Sequence, residues 1–518
     1  MYSITLRTPA SLCGALIALG LAGVLPTAQA QTFKILHDFT EDDGPVPEQA
    51  ALIQGTNGAL YGTTQSGGLY GQGSVFKMSL NGTVTTLYSF CPPGTSGNCV
   101  DADGPGALVL GSNEKIYGTT EWGGGESVGT VFEVTAGGVM TELSGFCGLP
   151  PDGDNACGAY PVGALVQASN GVFWGVTQGG GVLGQGAKFE ITAAGHFGSV
   201  DSFSCTQSNC NHEDYLVAGL IQGTDGNFYG TTEQGGTGVY GGGVDGSQYG
   251  GSVFKITPGH SIATLYSFCS QSDCTDGQAP MASLIQGSDG NFYGTTAFGG
   301  AGTACYNGSP GILGCGTVFK ITPDGILSTL YSFCIQSGCP DGQNPEAALI
   351  QGSDGNFYGT TRAGGSAGGI CSDYECGTLF EITPSGTLTT LHSFCSRNGC
   401  TSGGGLVASL VQDTNGDFYG TTTIGAGGNG TIFRLSMNLD PFVKTVPTSG
   451  LVGAQILILG TDLTGASSVT FNGTAAEFTV VSATLIKATV PAGATSGEVQ
   501  VVTPSGTLAS NIGFVVQP

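Results

Sequence analysis

The chain has 518 residues, 94 of them glycine, and only 9% are charged, far below the roughly one quarter usual in soluble proteins. Its formal charge is −25 with 12 Lys and Arg in total, so nucleic acids and anionic lipid surfaces would be repelled. Aromatic residues make up 9%, which excludes a disordered glycine-rich polymer, because these side chains give each segment something to bury.

The first 30 residues read as an export signal. Arg7 supplies the positive start, the run from Leu12 to Leu25 is too short to span a bilayer, and Ala28-Gln29-Ala30 is a small-x-small cleavage site. The mature chain is expected to start near Gln31 and to reside at an extracellular, periplasmic or cell-surface location, with no transmembrane segment. Phe33-Lys-Ile-Leu-His-Asp-Phe39 follows as a lone strand whose partner emerges only at the far end of a repeat array.

The repeats are marked by Tyr61-Gly62, Tyr117-Gly118, Trp174-Gly175, Tyr229-Gly230, Tyr293-Gly294, Tyr358-Gly359 and Tyr419-Gly420, seven copies spaced 55 to 65 residues apart. In the fifth copy, Met281 to Gln286 is a short apolar strand and Asp289-Gly290 suits a tight turn. Asn291 to Thr296 is a second strand, Gly316 to Thr322 a third, and Ile326 to Phe333 a fourth. The strands are apolar on both faces, so each sheet needs a neighbour on either side. Gly294 leaves room for an adjacent sheet to approach. Four-stranded units packed face to face make a β-propeller, whereas a solenoid coil would be too small to hold four strands. The seventh copy stops after its third strand, and Phe33 to Phe39 aligns with the fourth-strand segment Thr389 to Phe394. The expected fold is therefore an all-β, seven-bladed propeller over residues 31–436, closed by the N-terminal strand. The recurring GNFYGTT, GG, VFKIT and TLYSF segments resemble the GloVer tandem repeats of bacterial surface and secreted proteins over about residues 33–436, which implies a secreted repeat array with no assigned activity.

Sixteen cysteines remain after the export signal, in close pairs: Cys91/Cys99, Cys147/Cys157, Cys205/Cys210, Cys269/Cys274, Cys305/Cys315, Cys334/Cys339, Cys371/Cys376 and Cys395/Cys400. The Cys-x2-Cys spacing and nearby His of a zinc site are missing, so local disulfides in an oxidising compartment are expected. All eight fall in the loops from strand two to three or from strand four to the next sheet, which share one face of a propeller.

After Leu435 the cysteines end, and Asp440-Pro441 marks a linker. Short strands then run from Gln455 to Val516 as in a small sandwich. Pro447-Thr-Ser-Gly450, Leu459-Gly-Thr-Asp-Leu463, Val469-Thr-Phe-Asn-Gly473 and Val501-Val-Thr-Pro-Ser-Gly506 resemble the IPT/TIG immunoglobulin-like domains over residues 441–518, which implies a spacer or adhesion unit without catalysis. Removing this module is expected to cost far less stability than removing Gln31 to Thr40.

Trp122, Tyr240, Tyr249, Tyr306 and Tyr374 sit in the disulfide-pinned loops and are the candidate ligand-binding residues, for a glycan, a cell-wall polymer or another surface protein. The same face gathers Glu41, Asp42, Asp43, Asp101, Asp103, Asp152, Asp154, Glu213, Asp214, Asp273, Asp276 and Asp341, which suggests Ca2+ as a candidate ligand, although no Asp-x-Asp-x-Asp-Gly loop occurs. No other cofactor is indicated. Gly125-Glu-Ser-Val-Gly129 matches a nucleophile pattern without the strand-turn-helix that exposes the serine. His196, His212 and His260 look isolated. Gln54, Gln167, Gln222, Gln286, Gln351 and Gln412 recur beside the channel, where satisfying backbone groups is the ordinary role. The function expected is non-catalytic binding; the alternatives are a lyase or hydrolase using loop-face acids on a polysaccharide, or a structural envelope component.

Overall fold

The computed structural model describes residues 31–40, 43, 51–92, 103–147, 158–181, 186–203, 216, 218–237, 250–302, 314–365, 376–394, 403–425 and 428–517. The export signal lies outside them. Among the described residues the chain is all-β apart from a 3-10 turn at Ser272–Cys274.

Among the described residues the repeats form seven four-stranded antiparallel sheets. The fifth comprises Ile285–Gln286, Phe292–Thr296, Thr317–Ile321 and Leu327–Ser332. Its first strand is shorter than the apolar run suggests because the segment upstream serves the preceding sheet, where the Ala282 carbonyl accepts Thr231 Oγ1 at 3.0 Å. The repeated motif has a physical basis at each position. Gly290 takes φ +81° in the turn. The Asp289 carboxylate accepts the Asn291 N–H at 3.1 Å, Asn291 Nδ2 at 2.8 Å and the Tyr293 hydroxyl at 2.8 Å. Thr295 donates to the Ala347 carbonyl of the next sheet at 3.1 Å, and Thr296 Oγ1 lies 2.8 Å from Thr317 Oγ1 of its own. Gly294 does not make room for a neighbouring sheet. A Cβ there would stand 2.6 Å from Phe319 and 2.9 Å from Leu284, so its own sheet's ring fills the space.

Neighbouring sheets share apolar cores. Between the fourth and fifth sheets, Tyr229, Val253 and Phe268 pack with Phe292 and Phe319. The tyrosine of one copy meets the phenylalanine of the next at 4.0 Å for Tyr229–Phe292 and 4.2 Å for Tyr358–Phe418. The seventh sheet has three strands of its own, Val411–Gln412, Phe418–Thr422 and Thr431–Ser436. Its fourth is Thr32–Asp38, which pairs antiparallel with Thr431–Ser436 and sets Phe33 opposite Leu435 and His37 opposite Ile432. Tyr419 and Ile432 of this sheet bury against Leu52, Leu60 and Phe76 of the first, together with Phe39.

Besides a short parallel pair of Ser449–Leu451 with Val515–Gln517, the C-terminal residues form two facing four-stranded sheets. One contains Lys444–Val446, Gln455–Leu459, Phe478–Ser482 and Leu485–Thr489, the other Ser468–Phe471, Thr474–Ala475, Val499–Thr503 and Gly506–Ala509. Ile456, Ile458, Val469, Phe471, Ile486, Val499 and Val501 fill the core between them. The module is not an independent spacer. Leu457, Leu459 and Leu485, on the other face of its sheet, bury against Leu110 and Ile116 of the second repeat. Polar contacts extend the docking: Thr484 Oγ1 donates to the Thr56 carbonyl at 2.8 Å, Lys487 pairs with Glu114 at 2.6 Å, and Asn511 donates to the Gln351 carbonyl at 3.2 Å. All three partners lie at the ends of first strands or in the first-to-second turns, away from the disulfide-bearing loops.

Candidate functional site

On the loop face the structure describes one of the five expected ligand-binding aromatics. Trp122 ends the second strand of the second sheet and is 45% exposed. It packs on Tyr160 of the third sheet with ring centroids 4.7 Å apart, and Tyr160 is held at φ +57°, a region bulky residues rarely adopt. Asp103 stands directly opposite Trp122 across the strand pair. Burial pushes the Asp103 carboxyl up; burial also pushes Glu121 up, against a hydrogen bond with the Trp122 side chain that lowers it, and the nearby Asp103 charge adds to the rise. Glu233, at the same repeat position as Glu121, is also raised by burial. Tyr240, Tyr249, Tyr306 and Tyr374 lie outside the described residues.

Two of the eight expected cysteine pairs are seen bonded among the described residues. Cys269–Cys274 and Cys334–Cys339 are bonded, and Cys91, Cys147, Cys315 and Cys376 carry disulfides whose other halves lie outside the described residues. Cys99, Cys157, Cys205, Cys210, Cys305, Cys371, Cys395 and Cys400 also lie there. Two of the carboxylates considered for Ca2+ anchor these loops instead. Asp276 accepts the Tyr266 hydroxyl at 2.8 Å and the Ser270 N–H at 2.9 Å; Asp341 accepts the Tyr331 hydroxyl at 2.9 Å and the Cys334 N–H at 3.0 Å. Among the described residues no three His, Cys, Asp or Glu side chains converge as metal ligands.

His260 is not isolated. Its Nδ1 lies 3.0 Å from Asp201 Oδ2 and its Nε2 3.6 Å from Glu190 Oε1, and its ring stacks 5.5 Å from Trp174. Lys188, with a side chain 2% exposed, donates to the His260 carbonyl at 2.7 Å and pairs with Asp201 at 3.5 Å. Burial lowers the Lys188 ammonium, against the attraction of Asp201. The cluster joins the third and fourth sheets, and four of its five members, all but Glu190, break the repeat. Lys188 and Asp201 face each other where other sheets pair Val75 with Tyr88, Val253 with Tyr266, or Val318 with Tyr331. His260, at φ +69°, stands where Gly82, Gly138, Gly325 and Gly386 occur. Trp174 stands where the other copies have Tyr. These four departures were legible in the sequence only by asking which repeat positions meet between sheets.

The opposite face is occupied by the C-terminal module. The glutamine series there braces one sheet to the next. Gln286 Oε1 accepts the Thr224 N–H of the preceding turn at 2.8 Å while its Nε2 donates to the Gly290 carbonyl of its own turn at 2.9 Å. Gln54 continues the series from the first sheet to the seventh through Thr414 Oγ1 at 2.8 Å. Lys444 of the module donates to the Gln412 carbonyl, and burial brings its ammonium down to about 8 against the attraction of Asp413. A cavity of about 480 Å³ between module and repeats is lined by Gln167, Gln222, Gln286, Ser449 and Phe514 among others.

Among the described residues no helix is long and apolar enough to cross a membrane. No curated protein sequence matches the chain. Among solved structures it is similar to a streptogramin B lyase, at 16% identity over 78% of this chain and 97% of that one, with a TM-score of 0.48. A fungal alcohol oxidase of the AA5 family in complex with copper matches at 12% identity over 95% and 100% of the two chains, TM-score 0.48. A putative 6-phosphogluconolactonase from Bacteroides uniformis matches at 12% over 67% and 85%, TM-score 0.40. The IPT/TIG domain pattern matches residues 441–516, and the Gloeobacter/Verrucomicrobia repeat matches residues 23–244 and 239–477. With the repeat spanning most of its length, the chain belongs to the Gloeobacter/Verrucomicrobia repeat family and ends in an IPT/TIG domain.

Proposed function

We propose that the seven sheets close into a seven-bladed propeller whose disulfide-pinned loop face binds a glycan or cell-wall polymer without catalysis, on an exported or surface-held protein. The observation that carries the reading is Trp122: a large indole left exposed on a stapled face, backed by Tyr160 and flanked by carboxylates. Sugar rings stack on such aromatic faces while acids take hydrogen bonds from their hydroxyls. The IPT/TIG module docks at the first-to-second turns, at the other end of the sheets from Trp122. Glu121 and Glu233 favour a second reading, a polysaccharide lyase or hydrolase, because carboxyls raised by burial suit a general acid.

A glycan and cell-wall polymer screen with product analysis tests both readings. The binding account expects retention without cleavage, reduced by Trp122→Ala. Turnover would establish the enzyme instead, and no retention by any polymer would favour a structural envelope component.

A further inference from the structure

We propose that the Trp122–Tyr160 patch selects an amino sugar, a glycan unit carrying a free ammonium group, over neutral or acidic units. This rests on the binding reading above and narrows it to a substrate class. The indole is the side chain whose face attracts a cation most strongly, and Trp122 is exposed and braced by the Tyr160 ring at 4.7 Å. The acid side of the contact is supplied by Asp103, paired directly across from Trp122, and by its neighbour Glu121. Burial raises both carboxyls; Glu121 is held at the indole by a hydrogen bond with the Trp122 side chain, which lowers it in part, while the Asp103 charge raises it, so an ammonium beside these acids would favour their charged forms. The whole chain acts in the same direction. At −25 with 12 basic residues it repels polyuronates and draws in polycations.

The test is titration calorimetry of the intact protein with hexamers of glucosamine, N-acetylglucosamine and galacturonate at two salt concentrations. Glucosamine hexamer should bind about threefold to tenfold more tightly than the acetylated one, with the preference shrinking in high salt. Trp122→Ala should lose most of the affinity, and Asp103→Asn with Glu121→Gln should erase the preference while keeping some binding. Undiminished glucosamine binding by Trp122→Ala would reveal attraction to the overall charge and overturn the proposed site. Equal or tighter binding of the acetylated or acidic hexamer overturns the class while leaving the glycan reading standing. Failure of all three hexamers, with another polymer retained in the screen, would likewise sink only the class.

Discussion

At the scale of single residues, the repeat supplies a built-in control, because six other copies show what each position ordinarily holds. Lys188 replaces a residue that is aliphatic in the other six copies and Asp201 one that is Tyr in three of them, Ser in one and His in two, and removing Asp201 alone leaves a buried ammonium without its carboxylate. Asp201 is itself 44% exposed, so water softens the loss. Asp201→Ala should cost about 1–3 kcal/mol in denaturant unfolding, whereas Lys188→Val with Asp201→Tyr, which restores the repeat pair, should be neutral or stabilising. His392 gives a pH prediction. It stacks on Phe33 of the closing strand at 3.8 Å, and burial brings its imidazole down to about 4. The unfolded chain therefore binds a proton that the folded one refuses between about pH 4 and 6.5. Stability should fall as pH drops through that window, and His392→Tyr, the residue three other copies have at this position, should flatten the slope in thermal unfolding. In the sequence His392 differs from Tyr88, Tyr266 and Tyr331 of three other copies, but its contact with Phe33 joins residues far apart along the chain.

At the scale of the element, most of the repeat was legible. Strand order, turns and the alignment of Phe33 to Phe39 with a fourth strand followed from periodicity and turn residues. The apolar run overstates the length of the first strand because hydrophobicity does not reveal which sheet a carbonyl serves, and Ala282 serves the one before. Gly294 in mid-strand suggests a gap for a neighbour, while Phe319 of the same sheet fills it. Gly294→Ala should therefore destabilise the protein by roughly 1–3 kcal/mol through overpacking, measurable in urea unfolding. Most of the proposed site was not legible. Trp122 could be named as a loop aromatic, but its contact with Tyr160 depends on how two sheets are set side by side.

For the whole molecule, the C-terminal module is the main correction to the sequence reading. Gln455-Ile-Leu-Ile-Leu459 held the signal: an unbroken apolar run is buried on both faces, with Ile456 and Ile458 in the sandwich and Leu457 and Leu459 against the repeats. Leu459→Ala should weaken docking by about 3 kcal/mol and split a single thermal transition into two in calorimetry. Deleting the module should then expose Leu110 and Ile116, so its removal is costlier than a spacer's would be.

The proposed ring needs closure by Thr32–Asp38, which would bring the loops of all seven sheets onto one surface. Hydrogen exchange on the intact protein tests it directly. The amides of residues 32–38 that pair with Thr431–Ser436 should be protected to the same degree as those of Leu388–Ser393, the fourth strand of the sixth sheet. Exchange of residues 32–38 at the rate of an unstructured terminus, with the sixth sheet still protected, would contradict the closed ring and the shared binding face built on it.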